Sequence, residues 1–111
     1  MVVDEALKLK IAANESAFRD VNEAIASGRW PGETAARVPF RCECGTLGCN
    51  LMIEMTVADY EQVRCHGRRF LVLPGHVTAA TEDVIEDRGE YLVVEKRGEA
   101  GRLAEETDPR Q

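Results

Sequence analysis

The chain has 111 residues, 44% of them hydrophobic, and a net charge of −6. That length supports one domain with a modest core, small enough for a bound metal to matter to its stability. The acidic balance argues against a nucleic-acid binder, which needs a basic face. The only basic cluster is Arg64, His66, Arg68 and Arg69, without interleaved aromatics.

No apolar run approaches the roughly 20 residues of a membrane span. Met1-Val2-Val3-Asp4-Glu5 carries neither the basic nor the apolar part of a secretion signal, so the expected compartment is the cytoplasm. Thiols stay reduced there, and four cysteines in such a chain favour metal or redox chemistry over disulfides.

Residues 1–28 form an N-terminal segment whose stretch 5–28 has helical periodicity. Leu7, Ile11, Asn14, Phe18, Val21 and Ile25 recur at alternating spacings of four and three, a heptad seam with Asn14 as its polar member. The seam suits an amphipathic helix lying on its own domain. It also suits self-association through residues 5–28, with Asn14 setting the register. Gly28 and Pro31 end the helix, and residues 29–37 are a linker.

The main domain spans residues 38–97. Val38 to Cys42 alternates as a strand, and Leu51 to Met55 is its returning partner. Thr56 is an N-cap with Asp59 three residues on, and the helix that follows carries Tyr60 and Val63 before Gly67 stops it. Phe70-Leu71-Val72-Leu73 is a buried strand closed by Pro74-Gly75. Val84 to Glu86 and Tyr91 to Glu95 flank a glycine-containing loop and form a hairpin. Glu82, Asp83, Glu86 and Asp87 have the pattern of a solvated run. Residues 98–111 turn polar and charged, and a disordered tail is expected. The outline is α+β: a small antiparallel sheet with one packed helix, a zinc knuckle and an N-terminal helix.

The clearest chemistry lies in Phe40-Arg41-Cys42-Glu43-Cys44-Gly45-Thr46-Leu47-Gly48-Cys49. Three thiolates at C-x-C-G-x-x-x-C spacing can share one ion, and the two glycines let the turn fold back tightly. Zinc takes four ligands, so the fourth comes from His76, Cys65 or His66. His76 is preferred, because the Pro74-Gly75 turn fixes its direction at the end of a core strand. Cys65 and His66 sit at a helix end, where they have other uses. The candidate ligands are therefore Cys42, Cys44, Cys49 and His76, around one structural Zn2+. A thiol redox pair, Cys44 with Cys49, is the competing use, and inert thiols in a tight loop are the plain alternative. A site with three protein ligands and a water would instead be catalytic.

The C-x-C-G-x-x-x-C segment is similar to the zinc knuckle of the post-SET segment of lysine methyltransferases, where the cysteines join one ligand from elsewhere. Nothing else here matches a SET domain, so the similarity implies metal ligation alone. Over residues 11–97 the chain resembles a group of small bacterial proteins of uncharacterised function. These share F-x-C-E-C-x4-C, an E-Y pair in which this chain has Asp59 for the glutamate, R-R-F-x-V-x-P-G-H and Y-x-V-V-E-K. The matching stretches are Phe40 to Cys49, Asp59-Tyr60, Arg68 to His76 and Tyr91 to Lys96. The resemblance supports His76 as the partner of the cysteines and implies no activity. No nucleophile–base set, H-E-x-x-H or phosphate-binding glycine loop occurs. A non-catalytic module that binds another protein is the expected function.

Overall fold

The computed structural model describes residues 5–28, 37–46 and 48–110, with side chains from residue 10 onward. The expected linker lies outside the described residues except for Arg37, as does the side chain of Leu7.

The chain runs α1 (Glu5–Ser27), β1 (Arg37–Arg41), β2 (Met52–Thr56), α2 (Val57–Val63), β3 (Arg69–Val72), β4 (Glu82–Asp87), β5 (Leu92–Lys96) and α3 (Gly98–Glu106). The class is α+β, with two small antiparallel sheets in place of one. β1 and β2 form a two-stranded sheet in which Val38 faces Met55 and Phe40 faces Ile53. Both strands alternate exposed and buried residues, so these four side chains share one inward face. Phe40 stacks on Tyr60 of α2 with centroids 4.5 Å apart. Thr56 caps α2, its Oγ1 accepting from the Asp59 N–H at 3.0 Å.

The second sheet has the order β3-β5-β4. Phe70, Leu71, Val93 and Val94 are buried there and join Phe40, Met55 and Tyr60 in one core. The β4–β5 hairpin turns at Gly89, whose N–H bonds Asp87 at 2.8 Å. The two sheets meet where the Glu43 N–H donates to the Leu71 carbonyl at 2.9 Å. In return, the Leu71 N–H donates to Glu43 Oε1 at 3.0 Å. Among the described residues no helix is long and apolar enough to cross a membrane.

Three sequence expectations change. The stretch expected as a disordered tail, 98–111, contains α3, with Gly101 and Ala104 buried. It lacks large apolar residues because it docks closely through small ones. A Cβ at Gly101 would stand 2.8 Å from the Lys96 carbonyl. The Ala104 carbonyl accepts from the buried Arg19 guanidinium at 2.8 Å.

Helix α1 lies on its own domain, with Ile25 of its apolar seam packed half-buried on the core but with a fully buried face that is polar among the described side chains. Its buried residues are Glu15, Arg19 and Asn22, whereas Val21 is 44% exposed. The seam flanks the contact face, and Asn14 donates to the Gly45 carbonyl at 3.3 Å.

Glu82 is the third change. It is buried beside Lys96, which also pairs with Glu15. Only Asp83, Glu86 and Asp87 of that run are exposed.

Candidate metal centre

The site forms at the seam between the two sheets. Cys42 follows β1, and its N–H donates to the Leu51 carbonyl at 3.0 Å, continuing the ladder one step past the strand. The chain then turns through Gly45 (φ 71°) and Gly48 (φ 83°) to Cys49. Gly45 needs both its left-handed backbone and its missing side chain. A Cβ there would stand 2.8 Å from the Ile11 carbonyl of α1. The Cys49 N–H closes the turn on the Thr46 carbonyl at 3.1 Å.

His76 arrives from the other sheet. After β3 the chain turns at Gly75 (φ 86°), and the His76 N–H bonds the Leu73 carbonyl at 3.0 Å.

One ligand atom from each of Cys42, Cys44, Cys49 and His76 lies within 4.8 Å of all the others. His76 Nδ1 stands 3.7 Å from Cys42 Sγ and 3.6 Å from Cys49 Sγ. Metal–sulfur and metal–nitrogen bonds of about 2.3 and 2.0 Å at a tetrahedral angle put sulfur and nitrogen about 3.5 Å apart. The spacing thus fits two ligands of one ion. All three cysteines are buried and unbridged, and the histidine is half-buried.

The electrostatics divide two of the thiols. Burial pushes the Cys42 thiol up to about 12, although the Leu73 N–H, 3.3 Å from its sulfur, opposes that. Burial also raises Cys44, but hydrogen bonds to Thr46 and His76 outweigh it and leave that thiol lowered to about 7. One sulfur is therefore ready to act as a thiolate near neutral pH. An ion would have to displace protons from the rest, so affinity rises with pH.

Cys65 and His66 stand apart from this group. Cys65 is exposed, with Sγ 3.5 Å from the Glu61 carbonyl. Both residues line a separate open cavity of about 640 Å3. The neighbouring arginines are occupied. Arg64 is buried against Glu23 at 2.7 Å and against Asp108. Arg68 pairs with Glu105, and Arg69 with Glu95 at 3.2 Å.

Two residues missed in the sequence brace the knuckle. Glu43, between two cysteines, is fully buried. Burial pushes its carboxyl up to about 7 against the pull of hydrogen bonds from Asn22 and Leu71. Asn22 donates to Glu43 Oε2 and to the Arg41 carbonyl, both at 2.8 Å. It also accepts from the Arg41 N–H at 2.6 Å. The one signal for Glu43 was its place inside C-x-C, and Asn22 left none. Compared with protein-family models, with curated proteins and with solved structures, the chain finds no match.

Proposed function

We propose that this chain is a cytoplasmic zinc-binding interaction or regulatory module. One structural Zn2+ is held by Cys42, Cys44, Cys49 and His76, and the ion has no catalytic task. The observation that carries this is the convergence of four buried or half-buried ligand atoms within 4.8 Å. Three sulfurs and one imidazole suit zinc among the common divalent ions. Four protein ligands complete a tetrahedron and leave no position for a reacting water. The knuckle similarity to the post-SET segment and the resemblance to small bacterial proteins point the same way.

The ion's work is to staple the β1–β2 sheet to the β3 end. The protein then offers a rigid surface to another protein, or to a second copy through residues 5–28. The seam residue Val21, 44% exposed, supports the latter. Nucleic acid is not the expected partner, given a net charge of −6 and arginines already in ion pairs.

Metal analysis of freshly purified, reduced protein, paired with a free-thiol count, tests the reading. The expected result is one equivalent of zinc, with Cys65 reacting freely and the other thiols reacting only after chelation. Structural zinc is worth on the order of 10 kcal/mol in small domains, so chelation should lower the melting temperature steeply. A Cys49→Ser variant that kept its zinc and melted unchanged would falsify the proposal. Metal-free protein with a reversible Cys44–Cys49 bond would establish the redox alternative, and a metal-bound water exchangeable for added anions would establish an open, catalytic site.

A further inference from the structure

Helix α1 is tied to the knuckle more closely than to any apolar surface. Its fully buried side chains are all polar: Glu15, Arg19 and Asn22. Asn22 makes three hydrogen bonds to the chain entering the knuckle, two with the Arg41 backbone and one with Glu43. Asn14 reaches the Gly45 carbonyl at 3.3 Å. The Arg41 guanidinium lies 4.0 Å from the centre of the Phe18 ring and donates to the Cys49 carbonyl at 3.0 Å. Gly45 approaches so closely that a Cβ there would stand 2.5 Å from Glu15 Cγ. The outer wall of the knuckle is thus one part of the docking surface of α1, beside β5 and α3, which Glu15 and Arg19 meet.

That wall depends on its sulfurs. Among the described residues of the turn, the Cys49 N–H bonds the Thr46 carbonyl. Sulfur–metal bonds would hold Cys42, Cys44 and Cys49 in register, and with them Gly45 and the Cys49 carbonyl. Remove the ion and the surface that α1 sits on loses its shape. Such coupling is reciprocal: metal strengthens the docking of α1 by the same factor as docked α1 strengthens metal binding.

We infer that metal occupancy of the knuckle controls the docking of α1, with Asn22 as the positioning residue that links the two. The inference rests on the metal reading above and adds a regulated element to it. Metal in the site keeps α1 against the sheets, and metal loss releases α1 while the core of β3 and β5 remains folded. A buried polar contact face suits a detachable helix, since its groups are rehydrated when it leaves, whereas an apolar face would resist exposure.

The test measures metal affinity by chelator competition on the full chain, together with amide hydrogen exchange. Asn22→Ala should weaken metal binding by about 5- to 150-fold, the span of typical coupling between sites. Ser16→Ala, on the same helix but bonded to Thr107 at the exposed surface, should leave the affinity unchanged. In wild-type protein, graded chelation should expose the amides of α1 before those of Phe70 and Val94. An Asn22→Ala affinity within twofold of wild type would overturn the inference and leave the metal site standing. Loss of protection in α1 and β5 together would overturn release as a separate step. A wild-type chain that binds no metal would sink both readings, and that result is distinct from the other two.

Discussion

The two sides of the Phe70 ring are built by different physics. Toward β1, β2 and α2 lies an apolar half: Phe40, Met55 and Tyr60 are each at most 1% exposed. Toward α1 and α3 lies a wall of buried charge. The Arg19 guanidinium and the Lys96 ammonium stand 4.6 and 5.4 Å from the ring centroid. Beyond them Lys96 meets Glu15 and Glu82, and Arg19 donates to the carbonyls of Gly67 and Ala104. The apolar half gains stability in proportion to area and tolerates exchange among residues of similar size. The charged wall gains little net energy, because desolvation offsets attraction, but it accepts only one arrangement. The candidate metal centre sits where the halves join, with its sulfurs buried in the core and part of α1 over its outer wall.

The largest effect should come from breaking the wall on one side only. Lys96→Met leaves two buried carboxyls facing each other without their cation. The expected loss is about 3 to 5 kcal/mol, the usual cost of orphaning a buried charge. Denaturant unfolding of metal-loaded protein measures it. A loss under about 1 kcal/mol would mean that the wall yields to water, and the contrast between the halves would fail.

A smaller effect follows from pH. One ammonium facing two carboxyls cannot keep both in the ionised form cheaply. Burial pushes Glu15 up from 4.5 to about 7, against the attraction of Lys96 and with help from Glu82 and Cys44. The folded state therefore binds the Glu15 proton more tightly than the unfolded chain does. Stability from this group is present below pH 4.5 and is lost as pH rises toward 7. The full swing is at most about 3 to 4 kcal/mol, from 1.4 kcal/mol per pH unit over the shift from 4.5 to about 7. Glu15→Gln should flatten that slope between pH 4.5 and 7, with both proteins held at saturating metal and the metal affinity of each measured alongside. Parallel stability profiles for the two would show that Glu15 keeps an ordinary carboxylate affinity for its proton.

The same division explains what the sequence disclosed. Strand alternation in Val38–Met55, the Thr56 cap and the Gly89 hairpin are local patterns, and the structure has all of them. The C-x-C-G-x-x-x-C turn and Pro74-Gly75-His76 were also local, and the fold brings them together. The charged wall was illegible because its partners lie far apart in the chain. Glu15 and Lys96 are separated by 81 positions, and each alone resembles a surface residue. Periodicity then favoured the apolar seam of α1 over its true contact face. Polar, charged composition made α3 look disordered, because its anchors are Gly101, Ala104 and a carbonyl that accepts from Arg19.

The smallest effect belongs to the apolar half and should leave the wall untouched. α2 has seven residues and carries Val57, Tyr60 and Val63 into the core. So short a helix is not stable by itself, and its first turn depends on the Thr56 hydroxyl that accepts from Asp59. Thr56→Ala should cost about 1 kcal/mol, typical of a lost N-cap, while Thr56→Ser keeps the acceptor and stays near wild type. Neither change should alter metal affinity or the exchange of α1 amides, since Thr56 touches no part of the knuckle's outer wall. If serine fared as badly as alanine, the methyl group's packing rather than the cap would be what Thr56 supplies. If either variant weakened the metal, the two halves would be coupled through the core as well as through Asn22.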